Sequence, residues 1–144
     1  MKCALAIVVL VGCESGSGGA QCDLEVVMTQ DFISAEDCGH VAVDDGAGQM
    51  AARICVRDAI AASRPFRTIL EVQGIDSHVA RGYAGDGTAL YEYAYDSFGG
   101  DSSQRWVCAM LADVAPCDGQ TLANNLCLTC TQGVLDESSR CDEP

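Results

Sequence analysis

The sequence predicts a small, disulfide-stapled α+β domain in which one main helix lies across a four-stranded antiparallel sheet. Three observations predict it. The apolar periodicity changes at Pro65 from helical spacing to strict alternation. The alternating stretches are separated by Gly- and Asp-rich turns, as in hairpins. The 144-residue chain also carries ten cysteines, a density that suits a cross-linked core.

The chain opens Met1-Lys2 and continues as an apolar run from Cys3 to Val11, ending in Gly12-Cys13. A basic start, a short apolar stretch and a small residue at the cut are the parts of a secretory signal. The run is far shorter than the roughly 20 residues that a spanning helix needs. Leu10-Val11-Gly12-Cys13 resembles the lipobox of bacterial lipoproteins, and the resemblance covers residues 1–13 only. It implies cleavage after residue 12, a diacylglycerol thioether on Cys13 and, in most such proteins, an amide-linked third chain. One acyl chain anchors only marginally, so a multiply acylated terminus is what stable anchoring requires. Residues 14–21 are rich in Gly and Ser and read as a flexible tether. Glu14, in place of Asp, favours the outer membrane over the inner. Residues 22–135 form the domain and 136–144 a polar tail.

On this reading Cys3 leaves with the signal and Cys13 carries lipid. Cys22, Cys38, Cys55, Cys108, Cys117, Cys127, Cys130 and Cys141 remain, an even set for an oxidising compartment. Cys38 is expected to pair with Cys55, tying the segment before the main helix onto it. In the chain-entropy model such a loop is worth roughly 3 kcal/mol. Cys117, Cys127, Cys130 and Cys141 are expected to staple a C-terminal region too polar to hold its own core. Cys127-Leu128-Thr129-Cys130 is a C-x-x-C, and the four cysteines from 117 to 141 have a zinc-like spacing. Structural disulfides rank above both redox chemistry and zinc in an exported chain.

Within the domain, Leu24 to Met28 reads as a short strand, Asp31 to Asp37 as a turn or single helical turn, and Val41 to Val43 as an extended piece. Asp44 or Asp45 can cap the main helix, Ala47 to Ser63. Ala52, Cys55, Val56, Ala59, Ile60 and Ser63 form its stripe. Pro65 ends it, because the residue before proline resists helical geometry. Phe66, Thr68, Leu70 and Val72 then alternate with Arg67, Ile69, Glu71 and Gln73, a first strand. His78 to Ala84 is a second, and Gly85-Asp86-Gly87 a hairpin turn. Ala89, Tyr91, Tyr93 and Tyr95 mark a third, and Gln104 to Ala112 a fourth. This layout resembles the cystatin-like or nuclear-transport-factor-like arrangement, a likeness of layout that implies no function.

The functional signals are thin. Tyr91, Tyr93 and Tyr95, with Tyr83 across the hairpin, form a candidate binding face for a glycan, peptide or apolar partner if the helix covers the other side; cross-strand packing is the plainer explanation. Asp96 and Asp101 are a weak calcium candidate without the twelve-residue loop pattern. His40 and His78 are the two histidines. Ser77 and His78 are neighbours on a strand, so their side chains point apart and cannot pair. No nucleophile elbow, zincin or phosphate-loop motif occurs, and no catalytic residue, cofactor or metal is expected. The net charge of −13, with Lys2 the sole lysine, argues against nucleic acid or anionic lipid as a partner. The expectation is a lipid-anchored envelope protein, held to its membrane through Cys13, acting as a non-catalytic structural or binding module with an envelope protein or glycan partner. The alternative is an envelope enzyme or enzyme inhibitor.

Overall fold

The computed structural model describes residues 23–98 and 102–136. The signal, Cys13, the tether, Cys22, Asp101, Cys141 and the tail beyond residue 136 lie outside the described residues.

Helix α1, Leu24–Asp31, stands where a short strand is expected. The Asp23 side chain accepts from the Glu25 amide at 2.9 Å and caps it. Leu24, Val27, Met28 and Phe32 fall at helical spacing. Leu24, Met28 and Phe32 are buried, so packing overrides the strand preference of Val26 and Val27. Strand β1, Glu36–Val41, follows, then helix α2, Gly46–Ala61. The Asp45 side chain caps α2 from the Gly48 amide at 2.8 Å, and Ala52, Val56 and Ala59 of the stripe are buried. Strand β2, Phe66–Val72, pairs parallel to β1, so α2 is the crossover of a strand–helix–strand unit. Strands β3, Val79–Gly85, and β4, Leu90–Asp96, continue as antiparallel hairpins, as the turn residues predict.

The four-stranded sheet under one main helix is overturned. The sheet has six strands in the order β1-β2-β3-β4-β5-β8, where β5 is Ser102–Cys108 and β8 is Val134–Asp136. A second sheet pairs β6, Met110–Asp113, with β7, Leu128–Thr131. The expected fourth strand breaks at Ala109, where the chain leaves β5 and enters the second sheet. Helix α3, Gly119–Asn125, is short like α1. Strand β1 was hidden by its polarity: Glu36, Asp37 and His40 give it no apolar alternation.

Both faces of the large sheet are covered, not one. On the first, α2 and α3 pack over Phe66, Leu70 and Tyr83, with Leu122, Leu126 and Leu128 completing the core. The C-terminal region therefore contributes core residues, contrary to the expectation from its polarity. On the second face, α1 packs over Ile69, Ala80, Tyr93 and Tyr95. A Cβ on Gly82 would lie 2.3 Å from the Met28 sulfur, so glycine there lets α1 approach the sheet.

Among the described residues three disulfides hold this assembly: Cys38–Cys55, as expected, Cys108–Cys130 and Cys117–Cys127. The C-x-x-C cysteines belong to two different bridges, so that pair offers neither a redox dithiol nor zinc thiolates. No helix among the described residues is long and apolar enough to cross a membrane.

Candidate functional site

The site begins with a bulge in β1. Asp37 pairs with Arg67 and His40 with Ile69, so two β1 residues stand opposite Thr68 alone. Gly39 takes φ +106° at this point, a conformation that suits glycine. Its carbonyl accepts from the Thr68 hydroxyl at 2.8 Å. The extra residue resets the alternation. Cys38 faces α2 and bonds to Cys55, yet His40 faces the opposite side, towards α1. Without the bulge both residues would share a face.

On that same side, β2 presents Ile69 and Glu71. Strand β3 pairs Ala80 with Glu71, so His78, two residues before Ala80, also points there. The two histidines of the chain therefore converge on one carboxylate. His40 Nε2 lies 2.5 Å from Glu71 Oε1, and His78 Nε2 contacts Glu71 Oε2. From above, α1 places Glu25 Oε2 at 3.2 Å from His40 Nδ1. The His78 backbone is locked by Ser97, whose hydroxyl accepts from its amide at 2.8 Å. The His78 ring meets the Tyr95 ring edge-on, with centroids 5.5 Å apart. Around these groups is a cavity of about 220 Å³, closed by Asp23, Leu24, Ile69 and Ala80.

The electrostatics follow from proton counting. Both ring nitrogens of His40 face carboxylates, and a neutral imidazole has one N–H to offer. Burial works against the charged form, but the hydrogen bonds to Glu71 and Glu25 outweigh it and raise the His40 pKa above that of a free imidazole. The cluster is thus a place that calls for positive charge, on a strongly acidic chain. Its described lining holds no serine, threonine or cysteine, and the hydroxyl on it is the phenol of Tyr95.

The other candidates fare differently. The four tyrosines do not form an open aromatic face. Tyr83 lies opposite Glu92 and Tyr93 opposite Gly82, which puts Tyr83 on the α2 side and Tyr91, Tyr93 and Tyr95 on the α1 side. Tyr83, Tyr93 and Tyr95 are buried. The Tyr83 hydroxyl donates to the Asn125 carbonyl at 2.9 Å, and Tyr93 donates to Asp31 at 3.2 Å. Phe32 packs on Tyr91 and Tyr93. A helix on the second face, absent from the sequence reading, covers the ground a ligand would need. Asp96 accepts from the Phe98 amide at 2.8 Å as a turn residue, and its intended calcium partner Asp101 is outside the described residues. Glu92 approaches the Cys108 and Cys130 sulfurs, but those sulfurs are joined to each other and are not free thiolates. Glu92 instead pairs with Arg81 at 2.6 Å and accepts from the Cys130 amide at 3.0 Å. A more open hollow of about 390 Å³ beside that pair is walled by Trp106 and Gly133.

The sequence reading weighed His40 and His78 singly and missed their meeting at Glu71. A signal was present. Hairpin register alone puts Glu71 and His78 on one face, since the β2–β3 turn is short; His40 needs the bulge, which nothing but Gly39 announces. Set against known proteins, the chain stands without a guide: no protein-family model, no curated protein and no solved structure matches it.

Proposed function

We propose that this chain is a lipid-anchored protein of a bacterial cell envelope, at the outer membrane, whose domain is a non-catalytic binding module. Its binding site is the pocket of His40, Glu71 and His78. The observation that carries the binding role is the convergence of both histidines on one carboxylate in the wall of a cavity. The anchor rests on Leu10-Val11-Gly12-Cys13, which closes a short apolar run. Three disulfides support an oxidising compartment.

The test of the anchor is the intact mass of the protein from its native membrane, before and after reduction with alkylation. The expected species begins at a diacylated Cys13 and takes up alkyl groups on eight cysteines only after reduction. A chain that begins at Met1 with thiols open to alkylation before reduction overturns the reading.

A second reading, an envelope enzyme, draws on the same residues. A histidine held between two carboxylates suits general acid–base work. It differs in expecting turnover of an envelope substrate that Glu71→Gln abolishes.

A further inference from the structure

We infer that the His40–Glu71–His78 pocket binds a divalent transition metal ion of the zinc, copper and nickel class, with the two histidine Nε2 atoms and the Glu71 carboxylate as ligands and Glu25 orienting His40. This rests on the pocket being a binding site, and it names the class of ligand.

The donor set is the first argument. Two imidazoles and one carboxylate suit zinc, copper or nickel, whereas magnesium and calcium prefer sites built of oxygen alone. Three protein ligands leave a coordination position open to the pocket, as in zinc sites that accept a further ligand. The second argument is the backbone. His40 and Glu71 come from neighbouring strands β1 and β2, and His78 from the residue that leads into β3. The Cys38–Cys55 bridge and the parallel pairing fix β1, and Ser97 fixes the His78 backbone from both its hydroxyl and its amide. The third argument is the outer contact. Metal-bound histidines commonly donate the other ring N–H to a carboxylate, and Glu25 Oε2 stands 3.2 Å from His40 Nδ1 in that position.

The proton balance closes. In the metal-free protein, protons occupy the contacts from both Nε2 atoms to Glu71. On binding, His40 keeps its proton on Nδ1, shared with Glu25, and loses any proton on Nε2 to solvent. His78 moves its proton from Nε2 to Nδ1. Each Nε2 lone pair then meets the ion. The two Nε2 atoms do not lie within 4.8 Å of one another in the metal-free protein, so coordination at about 2.0–2.1 Å from each nitrogen requires both rings to turn inward from their present hydrogen bonds. They have the freedom to do so, with 43 % of the His40 side chain and 59 % of the His78 side chain exposed.

The test uses the full chain, purified in detergent with its disulfides intact, and zinc ion as the probe. Calorimetry reports stoichiometry and affinity, and ¹⁵N-histidine spectra report the rings directly, since the chain has two histidines. The expected result is one zinc per chain, with both ring signals moving at that stoichiometry and no displacement by millimolar-range magnesium or calcium. His78→Ala should weaken binding by about 100-fold and Glu25→Gln by about 10-fold, the scale of ligand and outer-shell losses. Asp58→Asn, an exposed acid on α2, should leave affinity unchanged. Zinc uptake by several weak sites without movement of both ring signals is adsorption to an acidic surface and overturns the proposal. So does unchanged affinity in a folded His78→Ala variant. Failure here with a diacylated Cys13 in the native mass removes the metal and leaves the anchored module. One-site zinc binding by a chain that starts at Met1 removes the anchor and leaves the metal site.

Discussion

A single carboxylate organises the turn between β3 and β4. Asp86 accepts from the Thr88 amide and hydroxyl and from the Ala89 amide. Those backbone and hydroxyl hydrogen bonds hold its pKa at about 2, below the ordinary 3.8. The sign is that of a depressed acid: its contribution to stability is present above the unfolded value and is lost as pH falls towards about 2. The group is exposed, so the effect is small. Asp86→Ala is expected to cost about 1 kcal/mol at neutral pH and to flatten the pH dependence of unfolding in that acid window, as chemical denaturation at stepped pH would show. The turn itself was legible, because Gly85-Asp86-Gly87 needs no tertiary context to read. His40 was not. Its orientation depends on one glycine inside a polar strand, and side-chain periodicity carries no warning of an inserted residue.

At the scale of elements, α1 decides what the second sheet face can do. It buries Tyr93 and Tyr95 and also carries Glu25 to His40. Met28 is its fully buried anchor. Met28→Ala should cost about 2–5 kcal/mol, the range for emptying a core site, and the urea midpoint would report it. The same variant should loosen Glu25 from His40, visible as a change in the His40 ring signal with the backbone spectrum of α2 unaffected. Helix α2 was legible because Ala52, Val56 and Ala59 repeat at helical spacing between a capping aspartate and a proline. The first residues of α1 were not, because Leu24 to Met28 contains two adjacent valines and five residues fit either period. Asp23 as a cap, with Phe32 at the next helical position, was the signal that separates them. Strands β7 and β8 are four and three residues long, too short for any alternation to register.

For the molecule as a whole, the cross-links tie neighbouring segments of the chain together across the layers of the fold. Cys38–Cys55 joins β1 to the crossover helix, with a sequence separation of 17. Replacing both cysteines by serine should lower stability by about 3 kcal/mol in the chain-entropy model, measured as a fall in the urea midpoint, with the m-value rising as the freed unfolded chain exposes more surface. The loss should extend to the pocket, because β1 holds His40. That pair was legible from spacing relative to the helix stripe. The other two described bridges, Cys108–Cys130 and Cys117–Cys127, depend on how β6, α3 and β7 fold back over the large sheet, a path that cysteine spacing does not reveal. Lipid attachment rests on thirteen residues that form no part of the described domain, and the mass of the N-terminal residue tests it separately from the cysteine count.

Strand β1 is also an edge of the large sheet, and its Gly39 bulge has a consequence for neighbouring molecules. An unpaired strand edge is a template on which another chain can add. Here that edge is short, carries Glu36 and Asp37, and has its hydrogen-bonding rhythm interrupted midway. Copies crowded together at high local density would find no regular ladder to extend. The inserted residue that aims a histidine inward therefore also discourages the protein from polymerising with itself.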